Sequence, residues 1–204
     1  MTTIYKLTDK SMQTHNGFQW TLNKTETADG KGDLCGPGFL HAYTDPLLAV
    51  LLNPIHANID SPRLFRADGT IKKTDHGLKA GCMEMTLLEE LPLPAINSVQ
   101  RIAFGILCAK EVCKDADWVT WADNWLSGKD RTAEAARAAR AARAAEAEAE
   151  AAAEAAEAVW AETAAAEAAE AVWAETAAAE AAAEAAEAGA IDLITIARKA
   201  MEVK

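Results

Sequence analysis

Residues 61–73, SPRLFRADGTIKK, decide how the fold is read, together with residues 82–91, CMEMTLLEEL. In the first stretch Leu64 and Phe65 stand on one arm, and Asp68-Gly69 is a dipeptide that suits a tight reversal, so a β-hairpin is predicted there. The second stretch is predicted as a further strand. Two adjacent antiparallel segments of this kind need partners, and the flanking sequence supplies them.

Toward the N-terminus, residues 4–7 read as a first strand, and His15-Asn16-Gly17 forms a turn ahead of the alternating Phe18, Trp20 and Leu22. Residues 28–38, ADGKGDLCGPG, make a glycine-rich loop. Asp45-Pro46 then has the N-cap and first-turn proline of a helix, LLAVLLN, which Asn53-Pro54 is expected to end. The pattern is that of antiparallel strands with a helix inserted. Toward the C-terminus, Ser98 is placed as the cap of a helix running to about Lys114. Beyond it Trp118, Trp121 and Trp125 recur at helical spacing, as a stripe expected to pack into a core.

Residues 132–188 differ in kind, with 34 Ala and 13 Glu among 57 positions and neither Gly nor Pro. Alanine has the best helix propensity, so a continuous helix is expected, about 85 Å long if straight. Ser127-Gly128-Lys129-Asp130 has the form of a capping box that would start it, and Gly189 is placed to stop it. The segment AAEAVWAETAAAE occurs twice in succession, at residues 155–167 and 168–180. A step of 13 residues turns a helix by about 220°, so Trp160 and Trp173 point to nearly opposite faces of a straight rod. The glutamates encircle the helix, which disfavours a regular coiled coil.

The last segment, residues 190–204, is amphipathic, with Ile191, Leu193, Ile194, Ala197, Ala200 and Met201 on one side. Its partner decides the topology of the tract. If the tail returns to the N-terminal domain, the tract folds back on itself, with Thr163 or Thr176 as break points; if it meets a second chain, the rod stays straight. The expected architecture is an α+β N-terminal domain (1–130), then a long Ala/Glu-rich α-helical stalk or helical bundle (131–189), then a short amphipathic C-terminal helix (190–204).

The net charge of −11 is unevenly placed, with −10 in residues 132–188 and −2 in residues 1–131. A partner drawn by charge would be basic, whereas nucleic acid would be repelled. Ordered carboxylates also suit a nucleic-acid mimic, against which stands a plain solvated spacer. No stretch has the length and apolarity of a membrane span, and the N-terminus lacks a signal-peptide pattern, so a cytoplasmic protein without a membrane partner is expected. The four cysteines lack CxxC spacing, and reduced thiols are the default.

Gly30-Lys31-Gly32 and Gly36-Pro37-Gly38 match neither a P-loop nor a dinucleotide fingerprint, so no cofactor is expected. Cys35, His41, His56 and Cys82 are of the right type for zinc, but their irregular spacing suits buried thiols and partly exposed imidazoles better, and no metal is assigned. Asp75, His76 and the scattered serines form no nucleophile and base pattern.

At Ile4-Tyr5-Lys6, Gly17-Phe18-Gln19-Trp20, Leu34-Cys35-Gly36-Pro37-Gly38-Phe39-Leu40-His41-Ala42-Tyr43 and Asp45-Pro46-Leu47, the chain resembles an uncharacterised phage and prophage domain family with repetitive, Ala-rich C-terminal extensions. That resemblance covers roughly residues 1–130 and implies an accessory protein of a phage or prophage, acting in the cytosol of a bacterial host. A second resemblance, to ADP-ribosyltransferase-type folds, rests on a first-strand motif followed by a glycine-rich segment, an aromatic residue and a helix. It implies Tyr5 and Lys6 at the first motif, Tyr43 as a ring-stacking residue and Glu84 as a catalytic carboxylate.

The function expected on these grounds is a non-enzymatic interaction protein that binds a host or phage protein, with counter-defence as one role. Ile191, Ile194, Met201, Trp160 and Trp173 are its candidate interaction residues. The alternatives are a nucleotide-binding enzyme using Tyr5, Lys6, Tyr43 and Glu84, or a spacer that forms a homo-oligomer through its C-terminal helix.

Overall fold

A computed structural model describes residues 1–132, 171–188 and 191–204. The chain divides into two compact units, Met1–Ala95 and Ile96–Lys204, which are separate packing problems.

The first unit is an antiparallel sheet with inserted helical turns, α+β as expected. Its elements in order are β1 (Thr2–Thr8), β2 (Gln13–Thr14), a 3-10 turn (His15–Gly17), β3 (Phe18–Gln19), β4 (Thr25–Thr27), β5 (Leu40–Ala42), α1 (Pro46–Leu51), α2 (Asn53–His56), β6 (Arg63–Asp75) and β7 (Lys79–Leu91). The main sheet runs β1-β6-β7-β4, with β5 also paired to β7, and β2 and β3 form a separate ribbon.

The predicted hairpin within residues 61–73 does not form. Arg63–Asp75 is one 13-residue strand, paired with β1 along one edge and β7 along the other. The reversal comes at His76 and Gly77, both at positive φ (43° and 84°), where the Leu78 N–H donates to Asp75 O at 2.6 Å. Asp68 and Gly69 lie mid-strand, opposite Thr86 and Met85. Gly69 is required for closeness rather than for turning. A Cβ there would come within 2.5 Å of Ile4 Cδ1, 3.1 Å of Glu84 O and 3.2 Å of Cys82 Sγ. Register shifts at Arg66/Ala67, Thr70/Ile71 and Ile71/Lys73 bend the long ribbon and change which residues face the core. That core gathers Ile4, Trp20, Ala42, Phe65, Ala67, Cys82, Met85 and Leu87.

Helix α1 starts as its sequence requires. Asp45 Oδ1 accepts from the Leu47 N–H at 2.8 Å, Pro46 needs no donor in the first turn, and Leu48, Ala49, Val50 and Leu51 are buried. The Asn53-Pro54 pair redirects the chain into the short α2 rather than stopping it, since Pro54 lacks only an N–H that a first turn leaves unused. Asn53 then clamps the Ile59 backbone from both sides, donating from Nδ2 and accepting at Oδ1, each at 3.1 Å.

The second unit is helical where it is described: α3 (Ser98–Val112), α4 (Ala116–Leu126), α5 (Ala171–Ala188) and α6 (Leu193–Ala200). Asn97, not Ser98, is the N-cap of α3. It accepts from the Gln100 N–H at 2.9 Å while the Gln100 side chain returns a bond to the Asn97 N–H. Trp118, Trp121 and Trp125 are buried, as their stripe predicts. Residues 127–129 close α4, while Asp130 accepts from the N–H and hydroxyl of Thr132 at 2.9 and 2.7 Å, and the start of the helix expected to follow lies outside the described residues. Gly128 takes φ +74° and the N–H groups of Ser127, Gly128 and Lys129 return to carbonyls of α4, a left-handed C-terminal cap.

Helices α5 and α6 both pack on α3. The first does so through alanine, with Ala179, Ala181, Ala182, Ala185 and Ala186 buried, and it runs unbroken through Thr176, one of the two expected break points. The second buries Leu193, Ile196, Ala197 and Ala200. The tail thus finds its partner within its own unit. Thr163, Trp160, Gly189 and the first copy of the 13-residue repeat lie outside the described residues. Among the described residues no helix is long and apolar enough to cross a membrane.

Candidate functional site

The first unit carries a half-open cavity of about 970 Å³. Strand β1 contributes Lys6, whose Nζ donates to His41 O at 2.6 Å and stands 5.3 Å from the centre of the Trp20 ring. Trp20 is held by its own N–H, which donates to Thr14 Oγ1 at 3.0 Å, and Phe18 meets it edge-on at 5.1 Å. Both rings come from the ribbon that the alternation around His15-Asn16-Gly17 predicts. The glycine-rich loop brings Cys35 and Phe39 to the wall, and β5 brings His41, whose Nε2 bonds to Leu34 O. Tyr43, just past β5, is fixed by two backbone bonds to Tyr5, at 2.8 and 2.9 Å. Helix α2 lays the His56 imidazole over the Tyr43 ring, with centres 5.9 Å apart and planes 23° from parallel.

Charge in this cavity is one-sided. Lys6 and Lys79 line it, with His15, His41 and His56, and no Asp or Glu is among the lining residues. Lys79 is paired with Asp75 at 3.4 Å. Lys6 has no carboxylate partner among the described residues, and its bond is to a carbonyl. Burial lowers the Lys6 amine to about 8 against an ordinary 10.5, partly countered by the Cys82 thiol. The same cause holds His56 near 4 and lowers His41, so both imidazoles are neutral at pH 7. Burial also raises Tyr43 above its usual range and the Cys82 thiol to about 11, so neither ionises near neutrality. His56 Nδ1 is buried without a hydrogen-bond partner among the described residues.

This geometry divides both the resemblance-derived set and the zinc-type set. Lys6 and Tyr43 share the cavity, whereas Tyr5 and Glu84 do not line it. Glu84 is exposed on β7, opposite Thr27 and Thr70. Of the zinc-type residues, Cys35, His41 and His56 line the cavity and Cys82 lies in the core, and no cluster able to hold a metal ion forms among the described residues. Ile191, Ile194 and Met201 are half-buried in the second unit, where Trp173 stands in α5.

Phe18, Trp20, Phe39 and Lys79 carry no local sequence signal that marks them as the wall of a site. Alternation showed that Phe18 and Trp20 share a face; what else that face meets is not a local property.

No curated protein and no solved structure matches the chain. A domain of unknown function, DUF7666, covers residues 2–98, and with them every residue that lines the cavity.

Proposed function

We propose that residues 1–95 are the ligand-recognition module of a non-enzymatic accessory protein, and that the ligand is a small anion bearing a planar ring, of the nucleotide class. The observation that carries this reading is the Lys6 amine in a ring-walled cavity that has no carboxylate among its lining residues. An anion entering such a space meets a cation with no carboxylate partner among the described residues, and its ring finds the exposed Phe18 to lie against, while the buried Trp20, Phe39 and Tyr43 present only small patches. The volume is in the range of small-molecule sites, which run to about 1,000 Å³. The protonated Cys82 thiol and Tyr43 phenol, with no carboxylate to orient His41 or His56, favour binding over turnover.

Calorimetry on the full chain tests this with a nucleoside, its monophosphate and a nicotinamide dinucleotide. The phosphorylated compounds are expected to bind at least tenfold tighter than the nucleoside, and Lys6→Met to abolish the difference. Equal affinity for nucleoside and monophosphate, or no heat from any of the three, overturns the reading.

A second reading, an ADP-ribosyltransferase-like enzyme, draws on Lys6 and Tyr43 sharing one cavity. It requires release of nicotinamide from the dinucleotide and loss of that release in Glu84→Gln. The wider role is that of a phage or prophage accessory protein that binds a basic host protein, with counter-defence as the outcome. Its support is the likeness of the N-terminal motifs and the −10 carried by residues 132–188. A pull-down from bacterial lysate that recovers no specific host protein counts against it.

A further inference from the structure

Resting on the site for a ring-bearing anion proposed above, though not on its nucleotide class, the geometry points to more than an ion pair at Lys6: we propose that its Nζ captures the aldehyde or keto group of a planar anionic carbonyl compound as a reversible imine. Four features of the cavity support this chemistry. The acceptor of the Lys6 hydrogen bond is the His41 carbonyl, which takes an N–H from an ammonium and, more weakly, from a neutral amine. Deprotonation therefore leaves the anchor intact and frees the nitrogen lone pair. Among the described residues no carboxylate lines the cavity to hold the ammonium form, and Lys79 is already paired with Asp75. The Trp20 ring favours the cation, but burial outweighs it, and the amine's pKa falls to about 8. Desolvated lysines of this kind are the ones that form Schiff bases.

The step balances within the cavity. The lone pair of Nζ adds to the carbonyl carbon and the π electrons of the C=O bond move to oxygen. The two protons lost from nitrogen pass to that oxygen, which leaves as water, and a C=N bond remains. The neutral imidazoles of His41 and His56 line the same cavity. Hydrolysis reverses the reaction, so the outcome is retention of a carbonyl ligand rather than turnover.

Pyridoxal 5′-phosphate, a planar anionic aldehyde, is the probe. The full chain is incubated with less than one equivalent, reduced with borohydride and mapped by peptide mass spectrometry. Lys6 is expected to carry the adduct at least tenfold over each of the other eleven lysines and the N-terminal amine. Labelling should rise to half its maximum near pH 8, fall with unphosphorylated pyridoxal and vanish in Lys6→Arg. An adduct spread over the exposed lysines, or concentrated on the N-terminal amine, overturns the proposal. Nucleotide binding without Lys6 labelling refutes the imine and leaves the recognition module standing. Lys6 labelling without nucleotide binding refutes the nucleotide class and leaves the amine chemistry standing.

Discussion

His56 is pressed against Tyr43 with Nδ1 unpartnered, so charging it costs more in the folded unit than in the unfolded chain. The folded pKa is near 4 and the ordinary value 6.5, so between them the unfolded state binds a proton that the folded state refuses. Stability is therefore complete above pH 6.5 and is lost as the pH falls toward 4. Hydrogen exchange of β6 and β7 amides, corrected for intrinsic rates, should show this loss, and His56→Phe should flatten it. Lys6 acts at the other end of the scale. Between about 8 and 10.5 the unfolded chain keeps a proton that the folded unit has released, so protection should rise with pH there, and Lys6→Met should remove the rise. Gly69→Ala forces a Cβ against Ile4 and the Glu84 carbonyl, with an expected loss of about 1–3 kcal/mol in denaturant unfolding. Of the site, Lys6 and Tyr43 were readable as a pair through resemblance. Glu84 falls outside the cavity, a placement that strand membership leaves open once a bulge intervenes between Thr70 and Ile71.

Caps and turns draw on the same few residue types, and this is where single elements were misread. Asp68-Gly69 has the composition of a reversal, yet pairing on both edges keeps residues 63–75 extended. The real turn uses His76 and Gly77, a pair with weaker local signal. Likewise Ser127 and Gly128 close α4, since the buried tryptophan stripe carries that helix up to them. Where a cap has no rival, the reading held, as at Asp45-Pro46. Gln100 carries two duties, completing the capping box of α3 and donating to Met201 O at 2.9 Å beyond α6. Gln100→Ala is expected to destabilise the helical unit by about 1–2 kcal/mol, seen as a lower midpoint in far-ultraviolet circular dichroism.

Across the molecule, the apolar side of the C-terminal helix is used on α3, so self-association through Leu193, Ile196 and Ala200 competes with folding of its own unit. Deleting residues 191–204 should broaden and lower the helical melt, while ligand binding, which depends on residues 6–79, should be unchanged by calorimetry. The amino-acid sequence alone determined the α+β character of the N-terminal region, the tryptophan stripe, the helicity of residues 171–188, the amphipathic tail and the placement of charge, while the break at 95–96 came from packing. These follow from propensity and periodicity acting over a few residues. Tertiary structure decided that residues 63–75 are one strand, that alanine packs on α3, and that Lys6 meets the Trp20 ring in a cavity also lined by residues 18, 39 and 43 while Glu84 stays outside. The reason is that strand register and the walls of a cavity are set by close packing between residues distant in sequence, which no local pattern specifies.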